Sequence, residues 1–106
     1  MKRRISIYKL SGIALSTRPL ADEFFRKIKK YKEDELTIDF KNVEFMSRSF
    51  ADQYIRLKSE NDHKIKEINK NEEVKEILEF VETVRSSKKR EKIIEIKYKV
   101  RKLPAV

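Results

Sequence analysis

The chain of 106 residues has no cysteine and no tryptophan, one histidine, one glycine and two prolines. Without cysteine there is no disulfide framework, no thiolate zinc site and no cysteine nucleophile. With His63 alone, a serine–histidine triad or a multi-histidine metal site has little to draw on. No apolar run approaches the roughly 18–20 residues of a membrane span. The start, Met1-Lys2-Arg3-Arg4-Ile5-Ser6-Ile7-Tyr8-Lys9, lacks the apolar core of a secretory signal. These absences lead to the expectation of a soluble, cytoplasmic protein with no membrane partner and no cofactor. The scarcity of glycine and proline also leaves no flexible linker, no low-complexity tract and no internal repeat.

Charge is what the chain has in abundance: 42% of residues are charged and the formal net charge is +9. Its location matters more than its size. Residues 1–4 carry three positive charges, and residues 85–102 carry nine basic against two acidic residues. The body between them is nearly balanced, with a net charge of −1. The length suits one domain spanning residues 1–106 with basic ends at 1–4 and 85–102. A chain of this size buries roughly two-thirds of the surface its unfolded form exposes. A basic end attracts nucleic acid or acidic protein surfaces. It serves equally as a lysine-decorated strand that resists aggregation.

The elements have to be found by period and caps. Ile5 and Ile7 alternate with polar neighbours, predicting a first strand that runs toward Leu10 and breaks at Ser11-Gly12. A short extended piece follows at Ile13–Leu15. Pro19 suits a first helical turn, and Asp22 and Glu23 stand where the helix dipole favours acid. Leu20, Phe24, Ile28 and Tyr31 then form one apolar stripe, widened by Phe25. Thr17 or Arg18 precedes that helix as its cap. Leu36-Thr37-Ile38-Asp39-Phe40 alternates cleanly and predicts a strand. Lys41-Asn42 is a turn, and Val43–Met46 continues the apolar pattern.

A second helix begins near Ser47 or Ser49, the latter opening a capping box with Asp52 in the acid position. Ser59–Lys64 is polar and predicts a loop. Ile65 and Ile68, three residues apart, suit a helix better than a strand, yet only a few residues separate two polar breaks, so 65–68 stays open between helix and short strand. A third helix is marked by Val74, Ile77, Leu78 and Val81, with Asn69 or Asn71 as its cap. Residues 85–90 are expected as a basic loop. Ile94, Ile96, Tyr98 and Val100 alternate with charged residues and predict a last strand. The alternation of strands and helices predicts a small α/β domain, a mixed four- to five-stranded sheet packed with about three helices.

The run Leu36-Thr37-Ile38-Asp39-Phe40-Lys41-Asn42-Val43-Glu44-Phe45-Met46-Ser47-Arg48-Ser49-Phe50-Ala51-Asp52 resembles the STAS-like domain of unknown function. It has a strand ending in Asp-Phe, a turn, a valine and a Ser-x-Ser-Phe-Ala-Asp helix start. An arginine opening the preceding helix is also similar, in Leu15-Ser16-Thr17-Arg18. The resemblance covers residues 5–57 well and 65–84 loosely. It implies a relative of the STAS domains of anti-sigma-factor antagonists, which dock on a histidine-kinase-like ATPase. Those domains are controlled by phosphorylation of a serine at the start of the helix after the Asp-containing strand. On that motif the usual acceptor position is Arg48 here, so the acceptor is Ser49 or Ser47.

Each of these residues also has a plainer reading. Ser47 and Ser49 serve as switch residues, or Ser49 simply caps the helix. Arg18 and Arg48 bind an anion or an acidic partner, or they pair structurally with Asp39 or Asp52. Asp39 orients its loop through hydrogen bonds. Glu72, Glu73, Glu76, Glu79 and Glu82 form a solvated helix face rather than a metal cluster. His63 is a surface residue. Lys88, Lys89, Arg90, Lys97, Lys99 and Arg101 could track a phosphate backbone, but no recognised nucleic-acid motif accompanies them. The expectation is therefore a non-enzymatic regulatory module with a protein partner; the alternative is a nucleic-acid-binding accessory protein using its basic ends. No acid–base pair or nucleophile with an adjacent base stands out.

Overall fold

Five strands and four helices follow one another along the chain in a computed structural model, which describes the backbone of residues 2–97 and the side chains of residues 2–86. In order they are β1 (Lys2–Ser6), α1 (Ile7–Ser11), β2 (Ala14–Leu15), α2 (Arg18–Ile28) and β3 (Glu35–Asp39). Then come β4 (Phe45–Met46), α3 (Arg48–Glu60), β5 (Lys64–Ile68) and α4 (Glu72–Lys97). The strands form two sheets: β1-β3-β5, with β3 in the centre, and the short pair β2-β4. Every ladder is parallel. The fold is thus α/β as expected, but the single mixed sheet is replaced by two parallel ones. Among the described residues no two paired strands are joined by a hairpin; each connection passes through a helix, the usual crossover for parallel pairing.

The core follows from the two periods. In β3, Leu36 and Ile38 are fully buried and Phe40 continues the row; β1 adds Ile5 beside Ile38. Against them pack Phe24, Phe25 and Ile28 of α2, Phe50, Ala51 and Tyr54 of α3, and Val74, Leu78 and Val81 of α4. The Tyr54 ring lies 5.4–6.0 Å from those of Phe25, Phe40 and Phe50. On the opposite face of β3, Glu35 and Asp39 are screened by cations from the neighbouring strands. Lys2 and Lys66 flank Glu35 at 3.6 and 3.8 Å, and Arg4 holds Asp39 at 2.8 Å.

Two local expectations are overturned and one open reading is decided. Tyr8–Leu10 is helical rather than extended, because the Lys9 amide donates to Ser6 Oγ and opens a short helix. Gly12, at φ 96°, ends it by donating to the Tyr8 carbonyl. Lys64–Ile68, left open between strand and helix, is a strand, its backbone paired in parallel with β3. The basic loop at 85–90 and the strand at 94–97 are both part of α4. No glycine or proline interrupts Glu72–Lys97, and extending an existing helix costs far less than starting a new element. The rest of that expected strand, 98–101, lies outside the described residues.

Candidate functional site

The β2–β4 ladder consists of only two residue pairs, Ala14 with Phe45 and Leu15 with Met46. Beyond it the Ser47 amide donates to the Leu15 carbonyl at 2.8 Å. Both strands run directly into helices, so the ladder sets the starts of α2 and α3 side by side. Thr17 caps α2 by accepting from the Leu20 amide, and Pro19 occupies the first turn. Ser47 caps α3 by accepting from the Phe50 amide at 3.0 Å. The same hydroxyl donates to the Ser16 carbonyl at 2.8 Å, tying the two helix starts together.

This corrects the capping box expected at Ser49. The cap is Ser47, and Ser49 stands exposed within the first turn of α3. Asp52 accordingly has a different task. Its carboxylate accepts from Arg18 Nη1 at 2.8 Å through one oxygen and from Arg85 Nη1 at 3.1 Å through the other. It thereby joins α2, α3 and α4. The Arg18 hydrogen bond, outweighing burial and reinforced by Arg85, holds the Asp52 carboxyl below its ordinary range. Arg48 turns toward α4, its guanidinium 5.1 Å from the centre of the Phe80 ring.

Together these residues line a cleft of about 330 Å³, with Arg18, Arg48, Ser49, Asp52 and Arg85 around Val81 and Val84. Three arginines and one carboxylate give it a positive balance at a helix start, where the dipole adds to the attraction for anions. Arg18, Arg48, Ser49 and Asp52 were all singled out from the sequence; Arg85 was missed as a member. It sits one turn after Val81 on α4, but that spacing carries meaning only if the helix continues past Val84.

Asp39 stands apart from the cleft. It accepts from Arg4 Nε and Nη2, the Lys41 amide and Asn69 Nδ2, at 2.8–3.2 Å. Burial opposes its ionisation, but these hydrogen bonds and the Arg4 charge prevail and lower its pKa to about 2. Asp39 therefore fastens the turn after β3 and the end of β5. Asn42 and Asn69, at φ 74° and 58°, supply the left-handed backbone at those two bends. His63 is half-buried rather than a free surface residue, its Nδ1 2.6 Å from the Glu33 carbonyl.

Among the described residues, no group of three or more His, Asp or Glu side chains is arranged to hold a metal. No helix among them is long and apolar enough to cross a membrane. Of the basic residues considered for nucleic acid, Lys88, Lys89, Arg90 and Lys97 belong to α4; Lys99 and Arg101 lie outside the described residues. No family model matches the chain, and no curated protein or solved structure matches it.

Proposed function

We propose that this protein is a non-enzymatic, STAS-like regulatory module that docks a histidine-kinase-like ATPase through the start of α3, with Ser49 as a phosphoacceptor that regulates docking. One observation carries the reading: Ser49 is exposed in the first turn of α3, on the cleft lined by Arg18, Arg48 and Arg85. Ser47, the other candidate acceptor, has its hydroxyl engaged both as donor and as acceptor. A phosphate on Ser49 would add nearly two negative charges beside three guanidinium groups and the positive end of the helix. Asp52 would repel it and compete with it for Arg18 and Arg85. The net effect on the fold is small, and the electrostatic change falls on the docking surface. The resemblance over residues 36–52 supplies the partner class, and the α/β architecture is compatible with it.

The test is co-purification from the native host of the wild-type chain, Arg48→Glu and Ser49→Asp, with mass spectrometry of the phosphorylation state. The reading expects an ATPase of that class with the wild type, its loss with Arg48→Glu, weakened recovery with Ser49→Asp and phosphate on Ser49. Recovery of no such ATPase rejects the docking reading. An unmodified Ser49 together with full recovery by Ser49→Asp rejects the switch and leaves a docking site alone.

A further inference from the structure

Helix α4 is divided by charge. Its first thirteen residues, Glu72–Val84, carry five acidic side chains and one basic, for a net charge of −4. The next thirteen, Arg85–Lys97, carry six basic and two acidic, for +4. The centres of the two halves lie about 20 Å apart along the axis at the usual rise per residue, so they cannot pair within one helix.

The acidic half also borders an uncovered apolar cleft. An open cavity of about 510 Å³ between β4 and α4 is lined by Phe45, Met46, Ile77 and Phe80, with Ser47 and Arg48 at the start of α3 and Glu73 and Glu76 along its α4 side; the Arg48 guanidinium covers one face of Phe80. Phe80 is 49% exposed and Phe45 42%. The carboxylates of Glu73 and Glu76 have no ion-pair or hydrogen-bond partner among the described residues. Two half-exposed aromatic rings beside unpaired carboxylates call for an occupant with apolar side chains flanked by cations.

The sequence contains such a stretch in Lys88-Lys89-Arg90-Glu91-Lys92-Ile93-Ile94-Glu95-Ile96-Lys97. Within one copy this stretch belongs to the same continuous helix as Phe80 and cannot fold back over it. In a second copy it is free to do so.

We propose that two copies of this chain pair through α4, antiparallel about a two-fold axis, the basic half of each helix lying over the acidic half and the Phe45–Phe80 cleft of the other. A two-fold contact is self-complementary, so the −4 half meets the +4 half twice. Parallel pairing would set like charges against each other along the whole helix. Burial of Phe45, Ile77 and Phe80 supplies the affinity, while the charges choose orientation and partner, as flanking charges do in coiled coils. The two clefts share Arg48, and the basic half of α4 begins at Arg85 of the Ser49 cleft, but reversals at Glu76, Glu79, Lys88 and Lys89 alter no residue lining that cleft, so loss of the dimer and loss of docking are read separately.

Sedimentation velocity of the full chain, from about 1 to about 100 µM at physiological salt, tests it directly. The wild type is expected to dimerise within that range. Glu76→Lys with Glu79→Lys, and separately Lys88→Glu with Lys89→Glu, should each weaken association by at least about tenfold. Mixing the two reversed variants should restore a mixed dimer, because each altered half then faces a complementary one. A wild type that stays monomeric overturns the proposal. So does a dimer indifferent to both reversals, or a mixture no stronger than its parts. Should circular dichroism show that either reversal unfolds the chain, Phe80→Ser decides instead: loss of the dimer supports the contact and an unchanged dimer overturns it.

Discussion

The hydroxyl of Ser47 donates to the Ser16 carbonyl and accepts from the Phe50 amide, so its removal leaves two backbone groups short of a partner. Ser47→Ala should cost about 1 kcal/mol, within the usual 0.5–2 kcal/mol range for a lost cap. Ser49→Ala, at an exposed position with no capping role, should stay within about 0.5 kcal/mol. Urea denaturation of the two variants separates them. Asp39 allows a second prediction at this scale. Its folded pKa of about 2 lies below the ordinary 3.8. The stabilisation it brings is therefore complete above the unfolded value and is lost as pH falls from there through the folded one. Its size is at most about 2 kcal/mol, since a tenfold change in a protonation equilibrium is worth about 1.4 kcal/mol and solvent screens the exposed Arg4 charge. Urea midpoints measured between about pH 5 and 2 should fall for the wild type. In Asp39→Asn that fall should be shallower, from a lower starting stability.

At the scale of elements, β5 is held to the helix layer through a polar contact. The Tyr54 hydroxyl, in a fully buried residue, donates to Glu67 Oε2 at 2.6 Å, and Lys58 and Lys70 flank the same carboxylate. Burial, then the Glu67 charge and hydrogen bond, push the Tyr54 phenol well above its ordinary range. Burial works against the Glu67 charge, but Tyr54 and the two lysines overcome it and lower that pKa. Tyr54→Phe should cost about 1.5–3 kcal/mol, the range for a hydrogen bond to a charged group, and chemical denaturation measures it. This contact also explains why β5 was ambiguous. Glu67 sits on the strand's inner face, opposite Ile38, where a period-2 reading looks for an apolar residue, so Ile65 and Ile68 left strand and helix undecided. In contrast β3, α2 and the first half of α4 were legible, because each buries apolar residues at its own period. The second half of α4 was missed because Ile94 and Ile96 alternate as in a strand, and local alternation cannot register a helix already propagating from Glu72. Arg18, Arg48, Ser49 and Asp52 were legible as a group because helix starts announce themselves by type and spacing. Arg85 was not, since only tertiary packing brings it to Asp52.

At the scale of the whole molecule, the absence of hairpins bears on how the chain reaches its native state. Paired residues such as Lys2 and Glu35, Ala14 and Phe45, and Glu35 and Lys64 are separated by 33, 31 and 29 positions. No ladder can begin locally, and the three closures differ by well under 1 kcal/mol in chain entropy, because that cost grows only logarithmically with loop length. Helices, whose contacts are local, are therefore expected to form first, with sheet assembly as the search that limits the rate. In stopped-flow refolding the chain should be slower than a helical bundle of equal length, in the range typical of mixed α/β domains. Central β3 takes part in two of the three closures, so substitutions such as Ile38→Val should slow refolding more than they speed unfolding. The same topology makes the fold indivisible: a fragment ending before β5 keeps β1 and β3 but loses one flank of the central strand and the Tyr54 acceptor together. Nascent chain emerging from a ribosome would hold its first strand without a mate until some thirty further residues had followed, leaving Lys2, Arg3 and Arg4 to guard that solitary edge in the interval.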